Sequence, residues 1–362
     1  MPAGQQSTAP ILYETPNSMN SQWKAFLESR CARIDAEDNV RFSDVPVEAE
    51  CALMDLSQLG LIAVSGPEAA SFLQGQLTND VPALDQNASE LGSHCSPKGR
   101  MLASFRVFKT DETIYLQLPR SKVDAMVKRM RMYLLRTKAT VEDASDRLCA
   151  VGIAGECAPS ALSAMYDAVP QEDNELTRSG DTTVIRVPGP TPRIEVLGPP
   201  SAMETLWDGL ADEAALVNAD FWALLNIRAG IPSVFPETSD AFVPQMANLQ
   251  LLGGVSFKKG CYTGQEVVAR MQYLGKLKRR MYRARVSAEN PPLPGDTLHC
   301  PSSSSEQATG RIVDARLNKD GNYEVLAVVE IEAAENGEVR LDGPKGPLLS
   351  FSEPPYGFPA KG

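Results

Sequence analysis

Three times along this chain an apolar strand runs into a glycine turn and then into a helix with proline at or near its first turn. Leu61-Ile62-Ala63-Val64 leads through Ser65-Gly66 to a helix over 67–74. The stretch 148–153 leads through Ala154-Gly155 to a helix over 159–166, and 193–197 leads through Gly198-Pro199 to a helix ending at Leu210. Proline suits that position because its missing N–H would have no helical partner there. Units of this kind, interleaved with hairpins, predict duplicated α+β modules rather than a doubly wound parallel sheet. A chain of 362 residues is too long for one ordinary core and divides into two or three domains.

The other segments fit this plan. A first helix is expected over 22–34, with Trp23, Phe26, Leu27 and Ile34 near one face. The run from His94 to Arg100 reads as a surface hairpin turn between strands 90–95 and 101–108, made by Pro97 and Gly99. Over 121–136 an amphipathic helix places Val123, Met126, Val127, Met130 and Leu134 on its core side, with Lys122, Lys128, Arg129 and Arg131 elsewhere. Another helix over 218–229 ends at Gly230. From Arg279 onward the pattern is β, with strands over 281–286, 311–317 and 323–331 and a hairpin at Asn318-Lys319-Asp320-Gly321. A small closed barrel accounts for it. The expected division is a flexible tail over 1–20, a first α+β module over 21–145, a second over 146–275 and the barrel over 276–362.

The chemistry concentrates in Lys258-Lys259-Gly260-Cys261-Tyr262-Thr263-Gly264-Gln265-Glu266. Thr263 and Glu266 have the spacing of a capping box, so a short helix with Val267, Val268 and Met271 on its apolar face is expected to start there. Cys261 would then sit just outside a helix N-terminus, beside two ammonium groups. Both features favour the thiolate, which is the nucleophilic form. Gly260 and Gly264 leave the backbone bare enough for a ligand to approach.

This run resembles the signature of the YgfZ family, whose bacterial and mitochondrial members are folate-binding factors for iron–sulfur proteins. The family is similar in fold to the T-protein, the aminomethyltransferase of the glycine cleavage system. The resemblance spans 55–285, includes Phe242-Val243-Pro244-Gln245 and Asn248-Leu249, and weakens in the barrel. It implies two ferredoxin-like modules and a β-barrel around a folate-sized central cleft, with tetrahydrofolate or a derivative as cofactor. The implied role is accessory, supporting assembly or repair of iron–sulfur proteins, including the enzymes that thiolate tRNA. Cys261 is then the reactive group and Lys259 the support of its thiolate, while Gln265 or Arg270 holds polar groups of the ligand.

Further residues follow from the same resemblance. Asp80, in the turn Thr78-Asn79-Asp80, matches a carboxylate that contacts the pterin ring in T-proteins, a task suited to an acceptor of two hydrogen bonds. Trp222 lies where bacterial relatives carry a folate-contacting Trp, and Lys98, with Arg100, suits a glutamate tail or a phosphate. Some relatives have a second Trp where this chain has Leu59, so that half of the ring-stacking arrangement is missing. The second reading is a tetrahydrofolate-dependent one-carbon transferase of the aminomethyltransferase kind.

Composition excludes several classes. Seven Cys without a CxxC pair predict free thiols in a reducing cytoplasm, and two His cannot build a His-based zinc site. A net charge of −11 opposes stable nucleic-acid binding. No apolar run is long enough for a membrane span, and the first twenty residues lack the basic start and apolar core of a signal peptide. The basic run Lys276, Lys278, Arg279, Arg280, Arg283, Arg285 reads as the solvated face of an edge strand. A single Cys cannot hold an iron–sulfur cluster, so any cluster role needs a partner's ligands.

Overall fold

Strand alternation decides what each sheet buries. In Leu59–Ser65, Ile62 and Val64 point to one side and pack with Phe72, Leu73, Met126 and Met130 of two covering helices. Leu61 and Ala63 point the other way and pack with Met54, Ala150 and Leu197 of a second sheet. Both faces are dry, which is why the strand reads as one unbroken apolar run. These relations come from a computed structural model that describes residues 19–301, 308–336 and 338–358. Most of the expected tail, and the serine-rich stretch 302–307 where a mobile loop is expected from composition, lie outside the described residues.

The first sheet is antiparallel, in the order Glu90–Cys95, Met101–Thr110, Thr113–Pro119, Leu59–Ser65, Thr140–Asp143. The helices Ala69–Gln74 and Val123–Leu134 lie on one face of it. The second sheet runs Leu176–Ser179, Thr182–Arg186, Arg193–Gly198, Cys149–Ala154, Ala52–Asp55, Ala215–Leu216, with only the last pair parallel. Its outer face carries Ser21–Ser29, Ala158–Ser163 and Pro200–Leu210 through Trp23, Leu27, Leu162, Leu206 and Trp207. Helix Asp220–Ala229 packs with the inner faces of both sheets through Phe221, Trp222 and Leu225. It ends at Gly230, as expected.

The C-terminal sheet has the order Arg340–Leu341, Thr297–His299, Gly310–Leu317, Tyr323–Glu330, Arg279–Val286, Ser350–Ser352. It curls into a half-barrel and does not close, and its two edge strands are two and three residues long. Short edges limit unpaired backbone without closure. Met281, Val313, Leu326 and Val328 join it to the rest of the molecule through Cys95, Ile227, Leu249 and Val268.

Four local expectations need correction. The first helix stops at Ser29; Cys31 turns the chain with φ 68°, and Ala32–Ile34 then pairs with Val40–Phe42 as a hairpin. Lys122 is buried, its ammonium donating to Ser239 Oγ at 3.0 Å. The basic run is not a solvated edge: Arg279–Val286 is an inner strand, Arg279 pairs with Glu330 at 3.1 Å, and Arg283 and Arg285 face Glu324. Nor are all seven cysteines free, since Cys51 and Cys157 form a disulfide. Strand Ala52–Asp55 lies beside Cys149–Ala154, with Ala52 opposite Ala154, and this brings the two Cα atoms to 5.8 Å across 106 residues of sequence.

Candidate functional site

Where the two sheets and helix Asp220–Ala229 meet they leave a cavity of about 690 Å³, walled by Asp55, Leu59, Pro119, Arg120, Trp222 and Asn226 among others. Exposed Glu37, Asn39 and Arg41 stand at its mouth. A recess of about 60 Å³ shares Leu59, Pro119, Trp222, Asn226 and Ser233 with it and adds Arg106, Gln117 and Glu195. Arg106 and Gln117 are register partners on neighbouring strands of the first sheet, and Glu195 lies opposite Gly152 in the second. The absence of a side chain at Gly152 matters: a Cβ there would stand 2.9 Å from the Trp222 ring. The indole therefore lies flush on the strand.

The polar groups of the recess are buried and mutually supported. Gln117 Nε2 donates to Glu195 Oε1. Arg106 Nη1 donates to Ser89 Oγ and Asn174 Oδ1, both at 2.8 Å. Arg193, fully buried, sits 5.1 Å over the Trp222 ring and donates through Nη2 to the Pro188 carbonyl at 2.7 Å. Its Nε and Nη1 have no partner among the described residues. Burial holds the Glu195 carboxyl above the usual carboxylate range, against the opposing pull of Gln117, Arg106 and Arg193. Burial, with Arg106 nearby, brings Arg193 down to about 9. A buried carboxylate, a carboxamide and the Arg106 guanidinium beside an indole form a recognition surface for a flat, polar-edged heterocycle, with Arg193 buried behind that wall against the indole.

The 258–266 run packs outside these walls, on the hairpin turn after Glu90–Cys95 and on the segment Leu77-Thr78-Asn79. Lys259 Nζ donates to the carbonyls of Leu77 at 2.7 Å and Asn79 at 2.6 Å and sits over the Tyr262 ring. Burial lowers its pKa to about 8, with Asp80 opposing the shift. Asp80 accepts from Gln74 Nε2 at 2.8 Å. The helix starts one residue later than the capping box predicts: it runs Gln265–Tyr273, Gly264 is its N-cap, and no side chain caps it. Gly264 holds φ +84° against Ser96 O and Gly99 of the hairpin turn, where the close backbone contact excludes a side chain. Of Val267, Val268 and Met271 only Val268 is buried.

Cys261, Lys258, Lys98 and Arg270 are exposed, and Gln265 is half-buried. Lys259 is thus committed to backbone carbonyls and Tyr262, and the helix N-terminus begins beyond Gly264. The electrostatic support expected for Cys261 is correspondingly less direct.

The hairpin turn is not a plain surface feature. Pro97 and Lys98 are exposed, but His94 and Cys95 are buried, and burial pushes the Cys95 thiol up to about 12. His94 Nδ1 faces the Gln76 carbonyl at 3.0 Å, and its Nε2 accepts from Arg129 Nε at 2.9 Å. These bonds require a neutral ring, and burial takes the pKa down to about 4. In the unfolded chain the ring titrates near its ordinary value, about 6.5. Between these values only the unfolded chain holds the proton, so stability should fall as pH drops from about 6.5 to about 4, by roughly 3 kcal/mol in all. Urea unfolding at pH 7 and pH 4.5 checks this; His94→Gln should show a smaller difference between the two pH values than the parent.

Residues 10–252 match the family model for the GCVT N-terminal domain. The tRNA-modifying protein YgfZ of Sodalis glossinidius (strain morsitans) is 32% identical over 304 residues, covering 84% of this chain and 92% of that protein. The tRNA-modifying protein YgfZ of Photorhabdus laumondii subsp. laumondii is 34% identical over 306 residues, with the same two coverages of 84% and 92%. The chain belongs to the YgfZ family. Among solved structures, the glycine cleavage system aminomethyltransferase T from Bartonella henselae superposes with a TM-score of 0.73 at 14% identity, over 92% of this chain and 96% of that one. That likeness shows the fold.

For this YgfZ-family chain the structure separates the expected site residues into two groups. Cys261, Lys259, Asp80, Gln265, Arg270 and Lys98 gather around the 258–270 loop and helix. Trp222 lines the cavity, and none of the others is among its wall residues. Sequence reasoning missed Arg106, Gln117, Arg193 and Glu195. Their signal was a charged or amide side chain inside a strand whose neighbours are apolar on both faces, as in Arg193-Ile194-Glu195-Val196-Leu197.

Proposed function

We propose that this YgfZ-family protein binds a reduced folate in the cavity beside Trp222 and supports the assembly or repair of iron–sulfur proteins through Cys261. The observation that carries the folate reading is the buried Glu195, held by Gln117 and flanked by Arg106 and Arg193, in a recess walled by Trp222. The residues fit the group. A pterin offers amino-pyrimidine donors that a carboxylate accepts, ring acceptors that the Arg106 guanidinium in the recess wall answers, and a flat face for the indole. A cavity of about 690 Å³ falls within the usual range for small-molecule sites. When bound, the folate supplies one-carbon or reducing chemistry. The protein's own residues bind the ring, orient it and exclude water from its polar edge.

The tRNA connection of the relatives enters, on this reading, through iron–sulfur enzymes that thiolate tRNA. Titration with 5-formyl-tetrahydrofolate, followed by Trp fluorescence or heat, tests the folate half. One site in the low- to mid-micromolar range is expected, roughly −6 to −8 kcal/mol. Absence of binding at millimolar ligand would overturn it.

A further inference from the structure

Helix Gln265–Tyr273 is only lightly held, with Val268 as its one buried residue. It and the following residue display Val267 at 36% exposure, Tyr273 at 68% and Leu274 at 84%. An apolar display of this size on one short helix is unlike a solvated face. Three cations surround it. Arg270 is on the helix, Lys258 precedes Cys261, and Lys98 is in the hairpin turn whose Gly99 packs against Val267. All three are exposed, and no carboxylate of the described residues pairs with them. Glu266 is the helix's one acidic residue. The chain as a whole carries −11, so a positive, apolar face around the exposed Cys261 runs against its average.

We infer that this face docks an acidic segment of a partner protein, with apolar side chains set between its carboxylates, and delivers the partner to Cys261. The inference rests on the reading of Cys261 as a group that works on a partner, and it does not depend on folate. Charge complementarity selects an anionic occupant. Of the three displayed side chains Val267 and Leu274 are aliphatic and only Tyr273 offers a ring to stack on, and the chain's net charge repels a phosphate backbone, so protein is favoured over RNA.

The probes are two synthetic peptides with the same leucine and phenylalanine positions, one with glutamates and one with lysines between them, each carrying a pyridyl-disulfide cysteine. The Cys261 thiolate attacks the peptide sulfur and expels pyridine-2-thione, whose absorbance gives the rate. Labelling is followed on a Cys31→Ser background. The acidic peptide should react at least tenfold faster than the basic one, and the ratio should shrink in 0.5 M salt. Lys98→Glu with Lys258→Glu should abolish the preference. Tyr273→Ser with Leu274→Ser should slow the acidic peptide several-fold, yet leave the iodoacetamide rate and the folate titration unchanged.

Equal rates for the two peptides would overturn the proposal. So would protection of Cys261 by a single-stranded oligoribonucleotide at concentrations where an unlabelled acidic peptide gives none, a result that would assign the face to RNA. A normal peptide preference with no folate binding would sink the folate reading alone.

Discussion

Replacing Glu195 with glutamine should lower affinity for a reduced folate by on the order of 30- to 150-fold, or about 2–3 kcal/mol. The carboxylate is the one acid in the recess, and an amide presents a donor where the pterin edge also has donors. The same change leaves Arg106 and Arg193 buried without their nearby anion, so a melting curve must accompany the titration. Trp222→Phe provides the second arm. It keeps most of the apolar contact and should weaken binding less than Glu195→Gln does. Asp80→Ala should also have the smaller effect, because Asp80 is engaged with Gln74 near Lys259, outside the cavity walls. If Asp80→Ala costs more affinity than Glu195→Gln, the pterin lies at the loop and not in the recess.

Cys261→Ala should abolish the support of iron–sulfur enzymes in cells while leaving folate affinity unchanged. Exposure sets the chemistry available: of the five free cysteines only Cys31 and Cys261 are exposed, whereas Cys95, Cys149 and Cys300 are buried. Native protein treated with iodoacetamide at neutral pH should therefore be labelled at Cys31 and Cys261, and at the other three only after unfolding. Cys261→Ser should fail in cells as Ala does, since a hydroxyl does not ionise where a thiol does. Cys31→Ser is the internal control and should complement fully. Complementation by Cys261→Ala would reduce the loop to scaffolding.

The fold was legible where local chemistry and tertiary packing agree. The helix ending at Gly230, the hairpin at Asn318–Gly321 and the apolar face of Val123–Leu134 all follow from periodicity and turn residues. It was illegible where distant segments meet. Ala52–Asp55 joins a sheet built mainly from residues a hundred positions later, and the Cys51–Cys157 bridge depends on that pairing. The 258–266 loop stood out in the sequence by its composition, but its geometry did not. Thr263 and Glu266 have the right spacing for a capping box, yet the close approach of the hairpin turn places Gly264 at the cap. Trp222 could be named from its resemblance. Glu195, Gln117 and Arg106 come together from three strands of two sheets, and a single sequence carries no sign of that convergence.

The most direct test is a crystal structure of the protein with 5-formyl-tetrahydrofolate. The expected result is the amino-pyrimidine edge on the Glu195 carboxylate, the ring against Trp222 and the Arg106 guanidinium at a ring acceptor. A folate bound beside Cys261 and Asp80, with the Gln117–Glu195 hydrogen bond undisturbed and the recess unfilled by it, would contradict the account.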